Sequence, residues 1–178
     1  MKDASSDFSQ TVTSALEDLK SIPDSDGFPV SERLTAFFFL LLDHVEAQDG
    51  RSNFNEEARG FSSAFHESLR SALSVVMLAP DVPLVNRMVV DSAPSRFLVA
   101  EMLIQLISTS LEDDSEGKQR SAALSDKVLA SAASILASPI AQKAVDVFRY
   151  AVEANYIPVS KIPVISEWFN ADKKANQD

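Results

Sequence analysis

The two histidines, His44 and His66, are the side chains best suited to metal binding or general-base chemistry. They fall on different predicted helices, and neither belongs to an HExxH or ExxH pattern. A two-helix metal site that also uses Asp43 and Glu67 is conceivable. The alternative places each histidine at a surface or interface beside a solvated carboxylate, and the spacing favours this alternative. We therefore predict no metal site.

Other patterns that support catalysis or cofactor binding are missing from the sequence. The four glycines stand alone, so a glycine-rich phosphate loop is excluded. Serines are numerous, but none lies in a G-x-S-x-G elbow. The acidic run at 112–116 lacks the spacing of a calcium-binding EF-hand loop. The sequence predicts a protein that is not an enzyme and needs no cofactor.

A polar stripe interrupts the apolar helix predicted to begin at Pro94, after Ser92 as its candidate N-cap. Glu101, Gln105 and Ser108 follow at i, i+4 and i+7 and share one helix face. This face is either the solvent side of the helix or the polar side of a cavity that orients a mainly apolar ligand. Arg96 is a candidate ion-pair partner of Glu101 in both cases. With a cavity, Glu101→Ala is expected to weaken ligand binding without unfolding the protein.

Aromatic residues are dominated by phenylalanine, with 11 Phe against two Tyr and one Trp. This composition indicates a large apolar volume with little need for hydrogen-bonding side chains. Phenylalanines at helical spacing usually form plain core, but here several could also wall a pocket. The predicted ligand-binding residues are Phe37, Phe38, Leu41, Phe61, Phe65, Phe97, Glu101, Met102 and Gln105.

The elements that position these side chains are predicted to be helices. The run Ala36–Leu42 is too short to cross a bilayer, so Leu34 to Val45 is predicted to be a buried central helix, with Ser31 as its N-cap. No alternating strand pattern is present. Periodicity and chain breakers predict about eight helices, at 7–22, 34–45, 53–78, 84–90, from Pro94 onward, 121–137, 140–155 and 164–169. We predict a single all-α domain over residues 1–178, with disordered ends at 1–6 and 171–178.

The predicted helix 121–137 is rich in alanine and serine. Small side chains allow a neighbouring helix to approach closely. That neighbour is either the predicted helix 140–155 of the same chain or its copy in a second subunit, which would give an isologous four-helix interface. We predict a homodimer. Its predicted interface residues are Leu124, Val128, Ile135, Val147, Phe148 and Ala151.

The formal charge of −10 narrows the range of partners. Nucleic-acid affinity depends on Lys and Arg side chains that replace phosphate counterions, and anionic membranes attract the same residues. Direct binding to nucleic acid or to a membrane is therefore not expected. The chain has no cysteine and its first 30 residues have no apolar signal-peptide core, so we predict a cytoplasmic protein.

Three features appear in an order that is known from one family. They are Glu32-Arg33-Leu34 opening into Phe37–Leu42, the helix start Pro94-Ser95-Arg96-Phe97, and the small-residue helix pair near the end. Over residues 7–155 this order resembles the C-terminal regulatory domain of TetR-family transcriptional regulators. The family's basic helix-turn-helix domain is absent, since Lys2 and Lys20 are the only basic residues among the first 30. The resemblance thus implies the ligand-binding and dimerising half without the DNA-binding half.

The leading hypothesis is a non-enzymatic domain that resembles the regulatory half of a TetR-family regulator. It would dimerise and bind a small, mainly apolar molecule. Two alternatives stay open. One is a helical protein-interaction module with a filled core and no ligand, and the other is a lipid- or quinone-binding helper protein of the same shape.

Overall fold

Helix α2 (Val30–Ala47) forms the centre of the structure, as the sequence predicts. The computed structural model describes residues 4–48, 54 and 63–138 of the chain. Within these ranges the chain is helical and contains no strand, which confirms the predicted all-α class for this part. The helices are α1 (Ala4–Ser21), α2 (Val30–Ala47), α3 (Ala64–Val76), α4 (Leu84–Val90), α5 (Ala93–Glu112) and α6 (Gln119–Ala137), with 3-10 turns at Ser25–Gly27 and Glu116–Lys118.

These six helices correspond to the first six of the eight predicted. The predicted helices 140–155 and 164–169 lie outside the described residues. Helix α1 begins at Ala4, three residues before its predicted start. The prediction of one helix over 53–78 is wrong at Ser63, which has an extended backbone and caps α3 by accepting a hydrogen bond from the backbone N–H of His66. A serine hydroxyl in this position competes for helix N–H groups and so marks a helix start.

The apolar run of α2 is divided between its two sides. Phe37, Phe38, Leu41 and Leu42 are buried, whereas Ala36, Phe39 and Leu40 are only partly buried against the same core. Helices α1 and α6 make the most extensive contacts with α2, and α3 and α5 also touch it. A helix this apolar is stable in water only when neighbours cover it, and these four helices supply the cover.

Three phenylalanine rings pack together where α1 meets α3. Phe8, Phe54 and Phe65 make edge-to-face contacts with centroid separations of 5.5–6.2 Å. This geometry brings the positive edge of one ring against the negative face of another, which adds to the stabilisation from burial. The three rings anchor the first part of α1 on α3 and place the start of α3 beside the core.

The start of α2 differs from its prediction. Ser31 is not the N-cap, because the helix begins at Val30 and Pro29 occupies the cap position. The Val30 backbone N–H instead donates to Oδ1 of Asp81 at 2.8 Å, across 51 residues of sequence. For α5 the predicted cap is confirmed, since the Ser92 hydroxyl accepts from the backbone N–H of Ser95.

Both ends of α6 are held by side chains from other segments. At its C-terminal end the buried Asn86 amide donates to the carbonyls of Leu136 and Ser138, at 3.3 and 2.8 Å. At its start the Asp113 carboxylate accepts from the backbone N–H groups of Ser115 and Ser121, at 3.0 and 2.7 Å. Helix ends leave such groups without intrahelical partners, so these contacts stabilise α6 at both termini. They also commit Asp113 to capping within the acidic loop.

The capping role of Asp113 predicts a pH dependence of stability. The Ser115 hydroxyl and the backbone N–H groups of Ser115 and Ser121 hold the pKa of the Asp113 carboxyl well below its usual value of 3.8. A lowered folded-state pKa gives a stabilisation that is complete above the usual value and is lost as the pH falls below it. Asp113→Asn is therefore expected to lower the free energy of unfolding near neutral pH. In acid this deficit should shrink.

Urea unfolding at a series of pH values measures this difference. Asp114→Asn is the matched control, because Asp114 is an exposed neighbour with the same charge. A deficit for Asp113→Asn that stays constant from neutral pH down to strongly acidic pH would contradict the assignment.

Candidate functional site

A histidine is fully buried at the start of α3. The Ser63 cap fixes the first turn of this helix and directs the His66 side chain towards α5, where its side chain has no exposed surface. Nε2 of His66 lies 2.5 Å from Oε1 of Glu101. An ionised carboxylate only accepts hydrogen bonds, so its pairing with His66 requires the tautomer that carries a proton on Nε2.

Glu101 reaches from this buried contact to the surface. The Glu101 side chain is 29% exposed, whereas the His66 side chain that its Oε1 contacts is 0% exposed. Phe97, one turn earlier on α5, stacks on the imidazole with centroids 5.7 Å apart and an interplanar angle of 27°. The result is a carboxylate held in one orientation by His66 and bordered by an aromatic ring. We call these three residues the His66 cluster.

The polar stripe predicted on α5 is divided by this arrangement. Glu101 pairs with His66, and Arg96, its predicted partner, instead lies 3.9 Å from the Asp91 carboxylate. Gln105 is exposed and Ser108 is partly buried. The solvent-side interpretation therefore holds for Gln105. Glu101 instead takes part in a contact between α3 and α5.

The predicted ligand-binding residues fall into two groups. Phe37, Phe38, Leu41 and Phe65 have at most 1% exposure and form part of one continuous core cluster. Phe97 and Met102, both on α5, are partly exposed. Phe61 lies outside the described residues. Phe97 and Met102 lie on the same helix as Glu101. Of the predicted ligand-binding residues, those near the His66 cluster are therefore the ones that keep exposed surface.

His44 has a different environment from His66. Its Nε2 lies 2.8 Å from Oδ2 of Asp18, and both side chains are partly exposed. Asp43 and Glu67, the other members of the conceivable metal site, are exposed. In the described ranges no group of three or more His, Asp or Glu side chains is arranged to hold a metal ion. His44 lies at the surface beside a carboxylate, whereas His66 is buried between α3 and α5 and is not a surface residue.

The predicted dimer residues on α6 present an apolar surface. Leu124 and Ile135 are 44% and 61% exposed, and Val128, between them along the helix, packs partly against the core. Alanines and serines at 123, 130, 131 and 134 are also exposed. We call this surface the α6 face. Val147, Phe148 and Ala151 lie outside the described residues.

A cleft of about 350 Å³ lies where α1, α2 and α3 meet the turn at 25–27. Its lining residues are Leu16, Leu19, Lys20, Ser25, Asp26, Arg33, Val75 and Val76. A second depression of about 460 Å³ runs along the outside of the turn at residues 20–27. Sequence reasoning missed the first cleft, because its walls come from three helices. The one available signal was Arg33 within a largely apolar helix.

The geometry changes the expected effect of Glu101→Ala. Removing the carboxylate leaves the buried Nε2–H of His66 without its acceptor, which costs about 1–3 kcal/mol. We therefore expect Glu101→Ala to lower the free energy of unfolding by this amount. Glu101→Gln keeps an acceptor oxygen and should cost less. Urea unfolding of both variants tests this, with the exposed Gln105→Ala on the same helix as control. Equal stability of Glu101→Ala and Gln105→Ala would contradict the buried contact.

Comparison with known proteins gives no match. No protein-family profile matches the chain, and no curated protein or solved structure is significantly similar to it. Among the described helices, none combines the length and apolar character that crossing a bilayer requires. The resemblance to TetR-family regulatory domains therefore stays a prediction from the sequence.

Proposed function

We propose that this chain is a non-enzymatic regulatory domain that binds a small, mainly apolar molecule and acts as a homodimer. The ligand lies beside the His66 cluster, and the α6 face forms the dimer contact. This is the role implied by the resemblance to the regulatory half of TetR-family proteins. A net charge of −10 opposes direct binding of this chain to nucleic acid.

The observation that carries the proposal is the partly exposed carboxylate of Glu101 fixed by the fully buried His66. Binding sites for small molecules combine apolar walls with a few polar groups whose orientation is set in advance. His66 sets the orientation of Glu101, and Phe97 and Met102 supply partly exposed apolar surface on the same helix. Because a carboxylate accepts hydrogen bonds, the matching ligand is an aromatic or alicyclic molecule with a hydroxyl or amine donor.

A pair of matched probes tests this site. 4-Propylphenol carries a donor on an apolar body, and propylbenzene is the same body without it. We expect the phenol to raise the melting temperature of the wild-type protein more than the hydrocarbon does, because a ligand that binds only the native state stabilises it. Glu101→Gln should weaken phenol binding about tenfold, since hydrogen bonds to charged acceptors are worth about 1.5–3 kcal/mol.

Native mass spectrometry of the purified protein complements the titration. An added mass that is lost on denaturation supports the proposal and identifies the natural ligand. No added mass together with no phenol-specific stabilisation would contradict it. Equal binding by wild type and Glu101→Gln would remove Glu101 from the site.

The α6 face supports the dimer. Leu124 and Ile135 lie 11 residues apart, close to three turns, so they occupy one side of α6. Exposed apolar residues among small ones suit a helix pair that packs closely, and a two-fold contact between α6 copies is self-complementary. Ile135→Glu would then place two carboxylates in the interface.

We expect Ile135→Glu to convert a wild-type dimer to a monomer, measured by sedimentation equilibrium. Leu98→Glu is the control, since Leu98 on α5 is similarly exposed and lies off the α6 face. A monomeric wild-type protein contradicts the dimer. Dissociation by Leu98→Glu alone would move the interface to α5.

A protein-interaction module is the second candidate, because a specific surface favours it. Leu84 and Met88 on α4 and Leu98 on α5 are 76%, 87% and 66% exposed. Exposed large apolar residues on neighbouring helices are typical of interaction sites. In this alternative the core holds no ligand, and neither the phenol nor the hydrocarbon stabilises the protein. A lipid- or quinone-binding helper would instead respond to both probes.

A further inference from the structure

Arg33 holds a largely buried positive charge in the cleft between α1, α2 and α3. Its side chain is only 11% exposed. Two of its N–H groups donate to backbone carbonyls, those of Asp26 at 2.6 Å and Val75 at 3.4 Å. Its Nε is also buried and has no hydrogen-bond acceptor among the described residues. A buried guanidinium is costly unless an anion compensates its charge.

The carboxylate of Asp26 gives Arg33 little compensation. Asp26 lies 3.9 Å from the guanidinium, beyond hydrogen-bond distance, and its side chain is fully exposed. Exposed ion pairs of this kind contribute little in water. Lys20 adds a second positive charge to the same cleft, so two cations and one carboxylate leave a net charge of +1 in its lining.

The rest of the cleft is lined by Ser25 and by four apolar side chains. Leu16, Leu19, Val75 and Val76 complete the lining, and the volume of about 350 Å³ lies within the range of small-molecule sites. Arg33 is one of the lining residues, and 11% of its side chain stays exposed. The cleft therefore combines the positive charge of Arg33 and Lys20, which Asp26 neutralises only in part, with a wall of leucine and valine side chains.

We propose that this cleft binds a small aliphatic carboxylate. The carboxylate group lies between Arg33 and Lys20, and the hydrocarbon chain lies along the leucine and valine side chains. The planar guanidinium matches the planar carboxylate in shape as well as charge. A net charge of +1 matches a monoanion and is too small for a phosphate dianion. This site is separate from the His66 cluster.

NMR titration of the full-length protein with octanoate tests the proposal. We expect saturable shifts of the backbone amides of Lys20, Asp26, Arg33 and Val75, together with a shift of the Arg33 Nε–H signal. Acetate carries the charged group alone, and 1-octanol carries the chain alone. Both should bind more weakly than octanoate, because each makes only part of the contacts.

Two variants that leave Arg33 intact should move the affinity in opposite directions. Lys20→Gln removes an attractive charge and should weaken octanoate binding about three- to fivefold. Asp26→Asn removes a competing anion and should tighten it by a similar factor. Both side chains are exposed, so neither change removes core packing. Asp24→Asn is the matched control, since Asp24 lies in the same turn but does not line this cleft.

Three results would overturn the assignment. Octanoate shifts centred on Glu101 would move the carboxylate to the other site. Equal affinities for octanoate and 1-octanol would remove the requirement for an anion. Equal changes in octanoate affinity for Asp26→Asn and Asp24→Asn would show that the affinity depends on the overall charge of the protein and not on the lining of the cleft. Failure of this titration leaves the phenol experiment at Glu101 unaffected, and the reverse also holds.

Discussion

Helix α2 can exist only because other helices cover it. Leu34, Phe37, Phe38, Leu41 and Val45 have no exposed surface, so the side of α2 that carries them is packed along its whole length. Helices α1 and α6 supply most of this cover, and α3 and α5 supply the rest. This requirement fixes where the remaining helices lie. Their other faces are then free to carry polar side chains.

The two candidate sites use buried polar groups in different ways. At the His66 cluster, the buried imidazole has a carboxylate partner in direct contact, so the pair stabilises α3 against α5. At the cleft, the Arg33 guanidinium is held mainly by backbone carbonyls, and the nearby carboxylate is too far away to bond. A carbonyl oxygen satisfies a donor but does not neutralise a charge. The first site is therefore organised around an anion, and the second has room for one.

Features that depend on local periodicity could be predicted from the sequence, and features that depend on tertiary contacts could not. The central helix, the Ser92 cap and the exposed Ile135 all follow from residues a few positions apart. The partner of Glu101 lies 35 residues away on another helix, so spacing along α5 pointed to Arg96 instead. The break at Ser63 was missed because apolar spacing continues across it. The cleft needs three helices in fixed positions, which no local pattern contains.

The contact between Asp81 and the first N–H group of α2 has a consequence for the order of folding. This cap comes from a residue 51 positions later in the chain, so it cannot form until α3 has packed and the following turn is in place. Closing a loop of that length costs entropy that only later contacts repay. The first turn of α2 therefore gains this cap only after α3 and the following turn have docked. Arg33 lies in this first turn, so the final shape of the cleft depends on the same contact from a distant part of the chain.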